Sequence, residues 1–320
     1  MNNTLSEIAE QLNKANSVAI FCHARPDGDA LGAGLALAVA FRNAGKSAVM
    51  CCEDPPPEKF SFLPAVKTVK NALPQNKNYD AFICVDCADV ARMGIFTDAF
   101  VKFPKTTINI DHHISNKCYA KYNFVFECPA SCELLTDILL ATDYEITSEI
   151  ADLLMLGLIT DSGNFTHTDV SEKTYITAAE LRKRGADNNI INYNMYSRQS
   201  KKRAILYGRV MNRIRFALDD KLTFIVTSLE DLKVTGADKS VTEGFVDFPL
   251  SIDGVEVSVS MMEVKNRQYK ISLRSKGTVN VNAVASSFGG GGHILASGCM
   301  LTGELEEVIE KVTYAVYQNL

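Results

Sequence analysis

The sequence predicts an α/β protein: a mostly parallel, doubly wound sheet, then a smaller mixed α/β domain, with a cleft between the two. Three observations carry this. Short apolar runs rich in β-branched residues alternate with helical stretches through the first half. Polar, titratable residues gather directly after several of those runs, at the sheet edge where open α/β folds bind ligands. Beyond about residue 215 the pattern changes to strands with fewer helices between them.

The elements follow in order. Residues 17–23 (SVAIFCH) read as a buried strand. A polar turn over 24–29 leads into a small-residue helix over 30–44, ended by Gly45. That helix carries the longest apolar run, which is too short to span a membrane and reads as buried. Residues 47–52, 80–87 and 106–110 read as three more strands. Residues 132–141, 148–158 and 171–184 look helical, the last stopping before Gly185. The stretch 189–215 has few breakers and a helical look. Strands are expected at 222–228, 255–263 and 269–274, and helices near 240–250, 281–288 and 304–319. The expected organisation is a first domain over 1–190, a helical connector over 191–215 and a second domain over 216–320. That agrees with about 100–200 residues per domain for a chain of 320.

Composition narrows the class. Hydrophobic residues at 47% and charged residues at 22% are enough for packed cores. The N-terminus lacks a basic region followed by an apolar core, so no signal peptide is expected. Nine scattered cysteines, an odd number, imply reduced thiols and a cytoplasmic location. The net charge of −5 gives no global attraction to nucleic acid. Basic residues cluster locally, however, at Arg198, Lys201, Lys202, Arg203, Arg209, Arg213 and Arg215, and again at Lys265, Arg267, Lys270, Arg274 and Lys276. Taken alone, each cluster reads as a solvated helix face or strand edge.

Four polar clusters carry the chemistry: His23-Ala-Arg-Pro-Asp27-Gly-Asp29, Asp86, Asp111-His112-His113, and Gly157-Leu-Ile-Thr-Asp161. Pro26 and Gly28 favour a sharp turn that lets His23, Asp27 and Asp29 converge. Asp27, Asp29, Asp86 and Asp161 at one edge would repel unless cations neutralise them, and one divalent ion would leave excess negative charge. Two divalent ions are therefore expected. Carboxylate plus imidazole donors suit Mn²⁺ or Mg²⁺, with the histidines favouring Mn²⁺. One at a time, a lone Asp after a strand is as easily a helix cap; Asp29 could cap its own helix. Four caps would need no histidines. Cys84-Val-Asp-Cys87 has no second pair at zinc-finger spacing and reads as core packing. The run Gly289–Gly292 with His293 reads as a phosphate-binding loop ahead of a helix, with Arg274 upstream.

Together these residues resemble the DHH phosphoesterases. His23-x-x-Pro-Asp27-Gly-Asp29, Asp86, Asp111-His112-His113 and Gly157-x-x-x-Asp161-x-Gly look like the four motifs. The Gly289–His293 run with Ala296-Ser-Gly298 looks like the accompanying DHHA1 domain. The likeness covers nearly the whole chain and is greatest to the stand-alone nanoRNase and pAp phosphatase group. It implies one metal on His23, Asp27 and Asp86, and a second on Asp29, Asp86, His112 and Asp161, with Asp86 bridging. Asp86 and His113 would be catalytic, with His113 facing the substrate phosphate. Arg274, Gly290, Gly291, Gly292 and His293 would hold the nucleotide. Ser162 stands where the family often has Thr, and His167 has no assigned role.

The implied activity is two-metal hydrolysis, by a metal-bridging hydroxide, of short RNA, linear dinucleotides and 3′,5′-bisphosphonucleosides such as pAp. No membrane and no stable protein partner are implied, and a homodimer is left open. The alternatives are an inorganic pyrophosphatase or polyphosphatase, which shares the metal motifs, and a non-catalytic nucleotide-binding module. A RecJ-like exonuclease would carry further nucleic-acid-binding domains. A membrane-bound cyclic-dinucleotide phosphodiesterase would need membrane spans.

Overall fold

In a computed structural model, which describes residues 2–75 and 77–320, the chain divides into two units, Met1–Arg198 and Gln199–Leu320. The first opens with α1 (Leu5–Lys14), whose Thr4–Glu7 capping box closes its N-terminus. Five strands follow: β1 (Ser17–Phe21), β2 (Ser47–Cys51), β3 (Ala81–Val85), β4 (Thr106–Asp111) and β5 (Tyr122–Val125). All pair in parallel, in the order β2-β1-β3-β4-β5. The sheet is buried on both faces, which is why its strands read as continuous apolar runs. Ile20, Ile83 and Ile110 pack on one face with α2 (Gly28–Asn43), α4 (Ser131–Leu140) and α5 (Ser148–Asp161). Phe21 and Phe82, with ring centroids 5.1 Å apart, pack on the other face with Phe96 and with Phe100 of α3 (Thr97–Val101). Helix α2 is buried on nearly every side, as its all-round apolar sequence requires. The unit ends with α6 (Glu172–Lys183) and α7 (Asn188–Asn192).

Strand order reverses between β1 and β3. Ligands of open α/β sheets bind in the crevice that such a reversal opens at the carboxyl edge. His23 follows β1, Asp86 follows β3, and Asp111 ends β4, so three of the four polar clusters meet at this crevice.

The stretch expected to be a helical connector, 191–215, is divided. The turn Tyr193–Ser197 continues α7, Arg198 is extended (φ −69°, ψ 118°), and α8 (Lys201–Met211) belongs to the second unit. There Leu206 and Val210 of α8 pack with Ile225, Leu232 and Phe245.

The second unit is a mixed six-stranded sheet in the order β10-β11-β9-β8-β7-β6. Its strands are β6 (Arg215–Ala217), β7 (Leu222–Thr227), β8 (Val257–Lys265), β9 (Gln268–Ser275), β10 (Gly291–Gly292) and β11 (Ala296–Thr302); only β7 and β8 pair in parallel. Besides α8 its helices are α9 (Leu229–Thr235), α10 (Asp247–Leu250), α11 (Val281–Ser286) and α12 (Leu305–Tyr317). Val308, Val312 and Val316, spaced for one face of α12, pack on Phe224, Val259 and Ile271. The helix expected over 240–250 is instead a 3-10 turn at Lys239–Thr242 and the single turn α10, separated at Gly244, whose φ of 79° no helix accepts. Among the described residues no helix is long and apolar enough to cross a membrane.

Candidate metal centre and substrate face

Two histidines are fixed by their backbone partners. His23 Nδ1 lies 2.7 Å from the Ala24 carbonyl oxygen, and His112 Nδ1 lies 2.8 Å from that of Cys128. A carbonyl only accepts, so each Nδ1 holds a proton and each Nε2 is left for another partner. His23 Nε2 stands 3.4 Å from Asp27 Oδ2 and 3.5 Å from Asp86 Oδ2. His112 Nε2 stands 3.4 Å from both Asp86 Oδ1 and Asp161 Oδ2; it is buried and has no hydrogen-bond partner among the described residues.

The four carboxylates arrive by different routes. Asp27 caps α2, its Oδ1 accepting the Ala30 amide at 3.0 Å. Asp29 does not cap its own helix. It reaches across to the start of α4 and accepts the amides of Ser131 at 2.6 Å and Cys132 at 2.9 Å. Asp86 is 1% exposed, sits at φ 51°, and accepts the Ser131 hydroxyl at 3.1 Å. Asp161 is the last residue of α5, where the helix dipole opposes a negative charge. Glycine sets the closeness of α2 and α5: a Cβ on Gly28 would run into the Thr160 side chain.

The charges strain against one another. Although burial opposes it, contact with Asp27 and Asp86 pushes His23 up to about 11. His112 is likewise pushed up to about 10 by Asp86 and Asp29 against burial. Burial and the Asp86 charge raise Asp29 to about 7; burial and the Asp29 charge raise Asp161 to about 9. Asp86 is held below the ordinary carboxylate range by the two imidazoles, in spite of its burial. Without a metal, protons hold this cluster together. The orphaned Nε2, the opposed carboxylates and the oxygen–imidazole donor set all fit a divalent cation that would replace those protons.

His23, Asp27 and Asp86 form one group able to hold a metal ion, and Asp29, His112 and Asp161 form another. Asp86, His112 and His113 form a third. The His113 Nδ1, however, is 2.8 Å from Asp111 Oδ1. Asp111 is fully buried, and its other oxygen accepts Asn116 Nδ2 at 2.6 Å. Sequence reasoning missed Asp111, Asn116, Ser131 and the Cys128 carbonyl as supports: Ser131 is distant in sequence from Asp86, the Cys128 group is backbone, and the nearby Asp111–His113 and Asn116–Asp111 bonds depend on a loop conformation that spacing does not reveal. No thiol joins these groups among the described residues, and Cys84 and Cys87 are buried in the aromatic core. The exposed His167 ring lies against Gly163, two residues past Asp161.

On the second unit, Gly289–Gly292 does not precede a helix. It follows α11 and opens the β10–β11 hairpin, with Gly291 opposite Gly298 and Gly292 opposite Ser297. The Gly290 amide donates to Ala285 and the His293 amide to Ala296, so the loop lacks both the helix dipole and a full set of free amides. Gly290 and Gly291 do line a pocket of about 650 Å³ with Arg274, Lys270 and Ser272, whereas Gly292 and His293 lie outside its lining. Basic residues are also more occupied than the sequence implied. Arg209 and Arg213 bind Asp231 at 3.3 and 2.6 Å, and Arg215 binds Glu306 at 2.7 Å. Their acidic partners lie outside the basic window, which is why the window looked uncompensated.

Residues 17–158 match the DHH family, N-terminal domain, and residues 221–318 match the DHHA1 domain. The chain carries a DHH N-terminal domain followed by a DHHA1 domain. This DHH chain is 29% identical to the bifunctional oligoribonuclease and PAP phosphatase NrnA of Thermus thermophilus, over 98% of its own length and 93% of the relative's. It is 23% identical to the protein of that name from Bacillus subtilis, over 92% and 93% of the two chains. Among solved structures it resembles an exopolyphosphatase-related protein from Bacteroides fragilis, with a TM-score of 0.83 and 27% identity over 98% of this chain and 95% of that one. Exonuclease RecJ bound to manganese shares the fold at a TM-score of 0.55 and 14% identity, over 98% and 95% of the two chains.

Proposed function

We propose that this chain is a metal-dependent phosphoesterase that trims very short oligoribonucleotides and removes a phosphate from 3′,5′-bisphosphonucleosides such as pAp. The observation that carries the chemistry is the Asp86 carboxylate, which faces the free Nε2 of both His23 and His112. The activities for which the full-length relatives are named support the substrate class.

In this reading His23, Asp27 and Asp86 hold one divalent ion, and Asp29, Asp86, His112 and Asp161 hold another; Mn²⁺ is favoured over Mg²⁺. When bound, such ions supply Lewis acidity and a water of lowered pKa. Asp86 orients both sites. His113, with Nδ1 held by Asp111, keeps Nε2 for a phosphoryl oxygen or the leaving oxygen. Arg274, Gly290 and Gly291 hold the nucleotide, and His293 serves at the edge of that pocket. The nine free cysteines support a reducing, cytoplasmic setting.

A second reading, hydrolysis of pyrophosphate or polyphosphate, is favoured by the likeness to the exopolyphosphatase-related protein from Bacteroides fragilis. One assay separates the two: turnover of pAp, pApA, a five-residue RNA, pyrophosphate and polyphosphate, with Mn²⁺ and after chelation. The proposal expects nucleotide hydrolysis that chelation abolishes. Turnover confined to pyrophosphate or polyphosphate would overturn it.

A further inference from the structure

The second face of the mixed sheet changes character from one strand to the next. On β7 that face carries Ile225, fully buried under α8 and α9. On β9 the residues that alternate with buried Tyr269, Ile271 and Leu273 are Lys270, Ser272 and Arg274. Across from them on β11 stand Met300, Gly298 and Ala296, so nothing bulky rises beside Ser272. A face meant to be covered by protein would be apolar here, as it is at Ile225. Ser258, cross-strand from Arg274, is fully buried with a hydroxyl that has no partner among the described residues.

This face holds two adjoining pockets. One is the Gly-rich pocket described above. The other, about 350 Å³, has Lys239, Ser240 and Thr242 on one side and Ser260, Lys270 and Arg274 on the other. Lys270, Ser272 and Arg274 line both, so the pockets share a wall and form one trough. Its charge is positive: Lys239, Lys270 and Arg274 face Glu243, and Asp247 lies 3.6 Å from Arg274 Nε. Lys270 and Arg274 are four strand residues apart, about 13 Å at roughly 3.3 Å per residue. That separation is too long for one phosphate to bridge, so the two cations can engage different phosphates of an oligonucleotide.

We propose that the Lys239 pocket is a second nucleotide subsite, which takes the phosphate and sugar of the unit adjoining the one in the Gly-rich pocket. Three cations suit phosphate, and hydroxyls suit ribose. This rests on the phosphoesterase reading and deepens it, because it makes the trough a reader of oligonucleotide length. A bisphosphonucleoside fills only one of the two pockets.

The test is binding by the full-length chain in chelator, read by fluorescence anisotropy with a labelled tetraribonucleotide and with pAp as competitor. Lys239→Glu is the main variant. Lys239 is exposed and its Nζ donates only to the Val264 carbonyl at 2.9 Å, so the fold has little to lose. An unchanged Tm verifies this, and Lys239→Arg should restore binding. The tetranucleotide Kd should rise about tenfold, and its salt slope should fall by about 0.7, the value for one phosphate contact on a single strand. The tetranucleotide-to-pAp affinity ratio should fall nearly as far. Equal losses for both ligands, or no loss, would overturn the subsite. Failure of the phosphoesterase reading is seen separately, as absent turnover in Mn²⁺ while tetranucleotide binding and its Lys239 dependence persist.

Discussion

Gly157 of α5 lies against Asp29 of α2, so that a Cβ at residue 157 would stand 2.5 Å from Asp29 Oδ1 and 3.0 Å from its Cα. The same Cβ would meet the Cys132 sulfur. The glycine of the fourth motif therefore makes room for a carboxylate of the first. Gly157→Ala should displace Asp29 from the Ser131 and Cys132 amides and lower stability by about 1–3 kcal/mol, the usual range for overpacking. Turnover should fall at least about tenfold. Thermal unfolding and a turnover assay on the same sample check this; an unaltered enzyme would mean that Asp29 has slack.

Asp86→Ala should abolish turnover and leave the fold intact. Among the described residues Asp86 is the one carboxylate facing both His23 and His112, so its loss leaves neither proposed metal site complete. The readout beyond activity is the rise in Tm on adding Mn²⁺, which reports binding to the folded state. That rise should disappear. Near-normal turnover would reduce Asp86 to a residue that shapes the end of β3.

Asp111→Asn keeps the shape but replaces an acceptor that holds the His113 Nδ1 proton. The amide can present an N–H instead, which favours the wrong tautomer. Turnover number should drop while KM for pAp moves little, and the Mn²⁺-dependent Tm rise should persist. A purely structural Asp111 would instead lower Tm with or without metal.

The raised values at His23, His112, Asp29 and Asp161 set a pH dependence. Each group holds its proton more tightly folded than unfolded. Each therefore contributes stability that is full below its unfolded value, near 4 for Asp and 6.5 for His. That stability is lost as pH rises through about 7 for Asp29, 9 for Asp161, 10 for His112 and 11 for His23. The metal-free centre thus weakens from pH 4 upward. Metal uptake releases protons, so affinity should rise over the same range. The Mn²⁺-induced gain in Tm should be larger at pH 8 than at pH 6. A gain independent of pH would mean that these groups do not exchange protons for metal.

Much of this centre was readable because strand ends place short motifs side by side. The runs ending in His23, Asp86 and Asp111 are apolar, parallel and adjacent, so their polar successors converge. What the sequence hid was longer in range. Asp29 looks like a cap for α2, yet it serves α4, about a hundred residues on. Asp231 lies outside the basic window that it neutralises. No strand was expected where β11 lies, since Ser297 and Gly298 interrupt the apolar pattern, and its pairing with β10 and β9 turns the glycine run into a hairpin rather than a helix entry. Local pattern found the residues that converge; the partners that orient them needed the fold.

Arg274→Ala separates the two units by function. Arg274 lines both pockets of the second unit, whereas every proposed metal ligand belongs to the first. A charge-assisted hydrogen bond to phosphate contributes about 1.5–3 kcal/mol. At about 1.4 kcal/mol per decade that is a loss in kcat/KM for pAp of roughly ten- to more than a hundredfold. Part of the loss should fall on kcat if the contact orients the substrate. The Mn²⁺-induced Tm rise should not change. A nitrophenyl phosphate ester has no second phosphate to engage Arg274, so its hydrolysis should barely move. His293→Ala offers a graded comparison: its amide is tied to Ala296 and its side chain lies outside the lining, so its effect on pAp should be smaller than that of Arg274→Ala. If pAp and the ester fell together, or neither fell, Arg274 would be a partner for Asp247 and no more, and the nucleotide assignment would lose its main support.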